Sequence, residues 1–136
     1  AGGLAQRLAT TDLVIIPTQA SLLDAVEAAA AVQEVKRQED AFRVRIPASV
    51  LYTRTSAAIR TRTLASIEEE FKENGVPVFK TRINEREAYR ALFSFGGTLS
   101  SLDPSQVRNI PAAVDNARAF AAEVVDLLKA AQARAA

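Results

Sequence analysis

Residues 12–24, with the sequence DLVIIPTQASLLD, are the stretch on which the expected fold of this chain depends. The apolar run 13–16 stops at Pro17, which cannot donate a hydrogen bond to a neighbouring strand. Such a run is typical of a strand buried on both faces of a parallel sheet. Ser21 is then placed to cap a helix, with Asp24 near the positive end of the helix dipole. A polar turn between such a strand and a helix lies at the carboxyl edge of a sheet, where open α/β folds bind ligands.

Two further apolar segments alternate with helical patterns. Strands are predicted over 13–16, 49–52 and 76–79. Strands that alternate with helices indicate βαβ units and a parallel sheet. We therefore predict an α/β fold, namely half of a doubly wound parallel-sheet domain with three parallel strands and flanking helices. Three strands leave one apolar strand edge unpaired unless other strands or another chain cover it, which favours a half-domain.

Helical spacing assigns particular residues to the core and to helix ends. A helix over about 22–38 is predicted to have a broad apolar face formed by Leu22, Leu23, Val26, Ala29, Ala30 and Val32. Asn84 is predicted to cap a later helix, with Glu87 completing a capping box. With 6% aromatic residues and no interleaved basic pattern, the aromatic side chains are predicted to be core residues rather than a base-stacking platform; these are Tyr52, Phe79, Tyr89, Phe93 and Phe95.

The composition excludes several classes of site. The chain has 136 residues, 49% of them apolar, and a formal net charge of +1, so affinity for a polyanion would need local clusters of charge. It has no cysteine and no histidine, which excludes Ser–His and Cys–His nucleophile pairs and the usual zinc ligands. Neither GxGxxG nor GxxxxGK followed by Ser or Thr occurs. We predict no catalytic set, no metal site and no membrane segment, and expect a cytoplasmic protein.

Two groups of arginines follow the second and third predicted strands: Arg54, Arg60 and Arg62, and then Arg82, Arg86 and Arg90. Both groups are expected at the carboxyl edge of the sheet. A guanidinium offers a planar fork of donors that suits phosphate oxygens. The alternative is that these arginines pair with Glu85, Glu87 and other surface acids. Spacing leaves both interpretations open.

Four segments carry a resemblance to a known family. They are DLVIIPTQASLLD (12–24), RTSAAIRTRTLASIEEEF (54–71), GVPVFKTRINEREAYRALFSFGGTL (75–99) and DPSQ (103–106). In order and spacing they resemble the carboxyl-terminal half of ParA-type partition ATPases, in the MinD-like, deviant-Walker group of P-loop ATPases. The resemblance covers about residues 12–128. It implies that residues 1–136 are one carboxyl-terminal portion of a ParA-like ATPase domain, without the P-loop half.

The resemblance also implies partners and cofactors for the intact protein. Members of this family form a homodimer that encloses ATP and Mg²⁺ and binds DNA non-specifically on the bacterial nucleoid. A centromere-bound, ParB-like protein stimulates hydrolysis. The family's P-loop lysine and magnesium-binding aspartate belong to its other half, so this chain alone is expected to bind neither cofactor and to be inactive in ATP hydrolysis. The alternative is a non-enzymatic interaction module that pairs through its open sheet edge.

Site residues are carried over from the family by position. The resemblance implies an adenine side formed by Thr53, Arg54, Thr81, Ile83 and Asn84, and a DNA-binding set formed by Arg60, Arg62, Arg86 and Arg90. The chain departs from the family at Glu85 and Ala88, where relatives often carry arginines. DNA binding by the second group is therefore expected only if Arg86 and Arg90 take over that role.

Overall fold

The computed structural model describes residues 2–56, 58 and 61–135. In this part of the chain the elements follow the order α1 (Gly2–Ala9), β1 (Val14–Thr18), α2 (Leu22–Phe42), β2 (Ala48–Thr55), α3 (Arg62–Glu73), β3 (Ile83–Asn84), α4 (Glu87–Phe95), a 3₁₀ turn (Leu99–Ser101) and α5 (Ile110–Ala135). The predicted α/β alternation is confirmed, and so is the helix cap at Ser21, whose hydroxyl accepts from the backbone N–H of Asp24 at 3.2 Å.

The three strands form a parallel sheet, as predicted, and their order is β1-β2-β3. β2 is the central strand, and Val50, Leu51 and Tyr52 are buried in it. Consecutive residues of a strand point to opposite faces, so β2 is the strand that is covered on both sides. Parallel strands end at the same edge, which places the turns after β1, β2 and β3 together.

β1 differs from the expectation of a strand buried on both faces. Exposed and partly buried residues alternate along it, and Ile15 is 37% exposed. Within the described residues β1 pairs with β2 alone, so its second edge is open. Pro17 does not end the strand either, because it pairs in register with Leu51 and β1 continues to Thr18. A proline is tolerated here because, in the part of the chain that the structure describes, no further strand lies on the open edge to accept a hydrogen bond from a backbone N–H at this position.

The third strand lies later than the predicted 76–79. That segment touches β2 through one parallel bridge between Val50 and Val78, and Phe79 donates to the Val50 carbonyl at 2.8 Å. The chain then leaves β2 and pairs again only at Ile83 and Asn84. The interruption has a physical cause, because the backbone N–H groups of residues 80 and 81 are bound by a side chain of α5 instead of the sheet.

Two apolar clusters hold the layers together. The larger joins β2 to α2 and α3 through Ala25, Ala28, Val32, Val50, Tyr52, Leu64, Ile67 and Phe71. The smaller joins α4 to α5 through Ala88, Ala91, Leu102, Val107 and Ala113. Small alanines on α2 and α4 let these helices approach their neighbours closely, and burial of such apolar area is the main favourable contribution to folding.

The buried face of α2 agrees with the predicted one only in part. Val32 is buried as predicted and Ala29 packs against the larger cluster, but Leu22, Leu23 and Val26 are 64%, 69% and 59% exposed. The helix buries Ala25 and Ala28 instead of these three larger residues. Size alone is a poor guide to burial where the sheet approaches closely.

Candidate nucleotide and nucleic-acid site

The candidate site lies at the carboxyl ends of β2 and β3. Thr53 pairs with Ile83 and Thr55 pairs with Asn84, so the register shifts at the residue between them. That residue, Arg54, has a left-handed backbone with φ 54°. An extra residue in one strand bends it and redirects a side chain, and strained backbone of this kind is frequent beside functional sites. The bulge therefore places the Arg54 side chain at the sheet edge.

A cavity of about 280 Å³ opens beside this bulge. It brings together six residues that the sequence assigned to two different roles, namely Thr53, Arg54, Ile83 and Asn84 from the adenine side and Arg86 and Arg90 from the DNA-binding set. The two predicted groups therefore share one surface. Both arginine groups were expected at this edge of the sheet, and the structure adds that residues of β2, β3 and the start of α4 line one cavity there.

Glu85 lies between two of these arginines. Its carboxylate accepts from Nε of Arg54 at 2.8 Å and from Nη1 of Arg90 at 2.5 Å. The hydrogen bond from Arg54, followed by that from Arg90, lowers the pKa of Glu85. The same contact raises the pKa of Arg54. Spacing left open whether these arginines bind phosphate or pair with surface acids. In the structure both Arg54 and Arg90 pair with Glu85.

Asn84 does not cap α4 as predicted. It belongs to β3, and the cap position is taken by Arg86, without a side-chain capping bond. The Asn84 amide instead donates to Oγ1 of Thr55 at 2.9 Å, and its oxygen accepts from Nη2 of Arg86 at 3.2 Å. A local capping signal was thus overridden by bonds to a neighbouring strand, which hold Asn84 at the floor of the cavity.

Asn116 of α5 fixes the same turn from behind, and sequence reasoning missed it. Its Oδ1 accepts from the backbone N–H of Asn84 at 3.2 Å and from the Tyr89 hydroxyl at 3.0 Å, while its Nδ2 donates to the Arg82 carbonyl at 2.7 Å. One side chain thereby connects α5, α4 and the backbone that leads into β3. A side chain that makes several such hydrogen bonds holds the elements it connects in a fixed arrangement.

Glu123, seven residues further along α5, holds the start of this segment. Its carboxylate accepts from the backbone N–H groups of Lys80 at 2.7 Å and Thr81 at 2.8 Å. Burial alone would raise the pKa of Glu123, but the backbone bonds from Lys80 and Thr81, the Thr81 side chain and the Lys80 charge together lower it. The predicted adenine-side residue Thr81 therefore faces α5 and is not part of the cavity lining. A spacing of seven places Asn116 and Glu123 on one face of α5, but six other polar residues occur on this helix, so spacing alone does not identify the two.

The remaining DNA-binding predictions divide between two places. Arg62 is exposed at the first residue of α3, which is capped by the hydroxyl of Thr61. Arg60 lies outside the described residues. Arg86 is half-buried, and its Nε is enclosed without a hydrogen-bond partner among the described residues. Arg90 is 61% exposed, so it is the more accessible guanidinium of the pair on α4.

The aromatic residues also divide. Tyr52 and Phe79 are buried as predicted, and Tyr89 is half-buried with its hydroxyl bonded to the Ala113 carbonyl at 2.9 Å. Phe93 and Phe95 are 95% and 62% exposed, so their assignment to the core was wrong. The alanines at 88 and 91 provide the buried face of α4 instead.

Two other searches of the described residues give negative findings. No cluster of three or more Asp and Glu residues there is arranged to hold a metal ion. None of the helices in that part of the chain combines the length and the apolar character that a membrane span requires.

Comparison with known proteins gives one informative match. No protein-family model matches the chain. The chain is 38% identical over 118 residues to the protein named Protein ParA of Rhizobium radiobacter. The match covers 87% of this chain and 53% of the relative, so the chain spans about half of the length of the protein it matches.

Proposed function

Because the chain is a ParA-like sequence that spans about half of its relative, we propose that it forms the adenine-side wall and a DNA-facing basic edge of a partition ATPase. The observation that carries this proposal is the cavity at the ends of β2 and β3, which joins Thr53, Arg54, Ile83 and Asn84 to Arg86 and Arg90. Its position at the carboxyl edge of a parallel sheet is where open α/β folds hold nucleotides.

The cavity residues fit the base of a nucleotide better than its phosphates. Ile83 is a half-buried apolar residue beside the hydroxyl of Thr53 and the amide of Asn84. Apolar walls with a few fixed polar groups are the usual lining of small-molecule sites. The chain has no glycine-rich phosphate loop, and the described residues have no metal-binding cluster. The triphosphate and Mg²⁺ would therefore be held by residues outside this sequence, and we expect no ATP hydrolysis by the 136-residue chain alone.

The proposed mechanism is ATP-gated dimerisation. Each subunit presents only a few arginines, and Glu85 neutralises part of their charge. A dimer would double the number of phosphate contacts, which raises affinity through effective concentration and makes it strongly dependent on salt. Hydrolysis would separate the two patches and release the DNA. A ParB-like partner that stimulates hydrolysis would set the timing of release on the nucleoid.

A chimera tests this proposal independently of where the present sequence begins. The chain would replace the segment of Protein ParA that it matches, and duplex binding would be measured by fluorescence anisotropy with and without ATP over a series of salt concentrations. We expect tighter binding with ATP. Four Arg→Ala changes, at Arg60, Arg62, Arg86 and Arg90, should lower duplex affinity by about tenfold or more and flatten the salt slope.

The matched control removes four arginines that do not line the cavity: Arg7, Arg37, Arg118 and Arg134. It changes the net charge equally. If DNA binds specifically at the proposed basic edge, the control variant should retain most of the salt dependence of duplex affinity. Equal loss in both variants would mean that only overall charge matters. Binding that ignores ATP would contradict the gating mechanism.

A second candidate function is an interaction module without ATPase activity. It is supported by the open edge of β1 and by the exposed apolar residues Leu22, Leu23 and Val26 on the helix that follows. Unpaired strand edges and exposed apolar patches favour association with another chain. Two results together would favour this candidate. The chain would form a stable complex in gel filtration, and the chimera would neither bind ATP nor change its duplex binding when ATP is added.

A further inference from the structure

Phe93 is an unusual surface residue. Its side chain is 95% exposed in the last turn of α4, although the helix has a buried face at Ala88 and Ala91. Single exposed apolar residues are common on proteins, and exposure alone carries no inference. What distinguishes Phe93 is its position.

Phe93 lines the same cavity as Arg54, Arg86 and Arg90. Residues 86, 90 and 93 follow each other at intervals of four and three, so they form one stripe from the N-cap to the last turn of α4. Phe95 lies two residues further, on another side of the helix, and does not line the cavity. The exposed Phe93 ring therefore borders the cavity that three guanidinium groups also line.

We propose that this stripe binds single-stranded nucleic acid, with an unpaired base stacked on the Phe93 ring and the adjoining phosphates on Arg90 and Arg54. The inference rests on the proposed function, since it specifies which form of nucleic acid the basic edge prefers. Stacked rings combined with a basic groove are the means by which proteins hold single strands without reading sequence. In a duplex the faces of the bases are covered by their neighbours, so the ring has nothing to stack on.

The surroundings favour nucleic acid over a protein partner. The cavity lining contains three guanidinium groups and one carboxylate, a net charge of +2 from these four groups. Protein interfaces bury their aromatic anchors among other apolar side chains and have few charges at the centre. Tyr89 and Arg90 precede Phe93 by four and three residues, so they lie beside it on the helix surface, and Arg86 lines the same cavity. An exposed ring at a cavity of net positive charge matches a phosphate chain that carries bases.

Substitution of Phe93 gives a direct binding test. Anisotropy of a labelled 12-nucleotide oligothymidine and of a labelled duplex of equal length would be measured with the 136-residue chain and with Phe93→Ala. Stacking contributes enough that we expect the single-strand affinity to fall about fivefold or more, while the salt slope and the duplex affinity stay unchanged. Phe95→Ala is the matched control, and it should leave both affinities unchanged.

A spectroscopic test uses the absence of tryptophan from the chain. Phe93→Trp provides one fluorophore at the proposed stacking position, and its emission should be quenched by oligothymidine. Phe95→Trp should not be quenched. Because both side chains are exposed, neither change is expected to disturb folding.

The outcomes separate this inference from the proposed function. If duplex binding still depends on the arginines but Phe93→Ala and Phe93→Trp have no effect on the single strand, the stacking site is overturned and the DNA-facing edge stands. If Phe93→Ala weakens both nucleic acids equally, or changes the oligomeric state instead, stacking is likewise overturned. If neither the chain nor the ATP-loaded chimera with Protein ParA binds either form in a salt-dependent way, both proposals fail.

Discussion

Glu85→Gln is the perturbation whose effect on nucleic-acid binding can best be worked out from the structure. The Glu85 carboxylate contacts Arg54 at 2.8 Å and Arg90 at 2.5 Å, so it occupies two of the three guanidinium groups of the cavity. Glutamine keeps the shape of the side chain but removes its charge. Both arginines are more than half exposed, at 65% and 61%, and such exposed pairs contribute little to folding. The variant should therefore fold normally and bind polyanions more tightly.

The magnitude follows from the number of phosphate contacts that are gained. Each additional phosphate contact with duplex DNA steepens the salt dependence of log affinity by about 0.9. Two freed arginines steepen it by up to about 1.8, and the affinity gained at 50 mM salt should then shrink about twelvefold by 200 mM. One freed arginine would give half of that slope. The change in salt slope therefore reports whether one or both ion pairs of Glu85 keep an arginine from contacting phosphate in the wild-type chain.

The assay is fluorescence anisotropy of a labelled duplex over this range of salt. Glu87→Gln is the matched control, because it removes the same charge two residues away and does not line the cavity. Tighter binding by both variants to the same extent would mean that net charge, not release of the arginines, is responsible. An unchanged affinity for Glu85→Gln at 50 mM salt would mean that the Glu85 ion pairs do not restrain Arg54 and Arg90.

The remaining predictions concern stability. Glu123→Gln should lower the free energy of unfolding by about 2 kcal/mol at pH 7, because it weakens two charge-assisted bonds to the backbone at Lys80 and Thr81. The folded pKa of Glu123 is lowered from its ordinary value of 4.5, so this stability is present above that pH and is lost as the pH falls through the folded pKa. In urea unfolding, the difference in stability between the variant and the wild-type chain should therefore shrink in acid. A difference that stays constant with pH would contradict this prediction. Tyr52→Phe should leave the free energy of unfolding unchanged or raise it by up to about 1 kcal/mol, which thermal melting would detect. The reason is that the buried Tyr52 hydroxyl has no hydrogen-bond partner among the described residues. A clear loss of stability in this variant would indicate that the hydroxyl is bonded. Burial, with the nearby Glu68 carboxylate, raises the pKa of Tyr52 to about 12, so the tyrosine absorbance of this residue should not titrate at pH 10.

The fold was largely readable from local signals. The run 13–16, the cap at Ser21 and the alternation of strands and helices each depend on neighbouring residues, and all three gave the right type of element. Burial was less readable because it depends on what packs against an element. β1 is open on one edge within the described residues, and α2 turns Ala25 and Ala28 to the sheet instead of its larger residues.

The site was readable in outline but not in its connections. Four of the five adenine-side residues share the cavity with Arg86 and Arg90, and Thr81 does not. Asn84 was mistaken for a helix cap because its partners, Thr55 and Asn116, lie 29 and 32 residues away along the chain. The Arg54–Glu85 pair spans 31 residues. Contacts across such distances arise from tertiary packing, which single-sequence patterns do not encode.

Photo-crosslinking tests the central claim, that the ends of β2 and β3 form the adenine side of a nucleotide site, most directly. The chimera with Protein ParA would be labelled with an azido-adenine analogue of ATP, digested, and mapped by mass spectrometry, with excess ATP as competitor. The account predicts competitor-sensitive labels on peptides that contain Thr53 and Arg54 or Ile83 and Asn84. Specific labelling confined to other parts of this chain, or ATP-stimulated DNA binding without any label at these two segments, would contradict it.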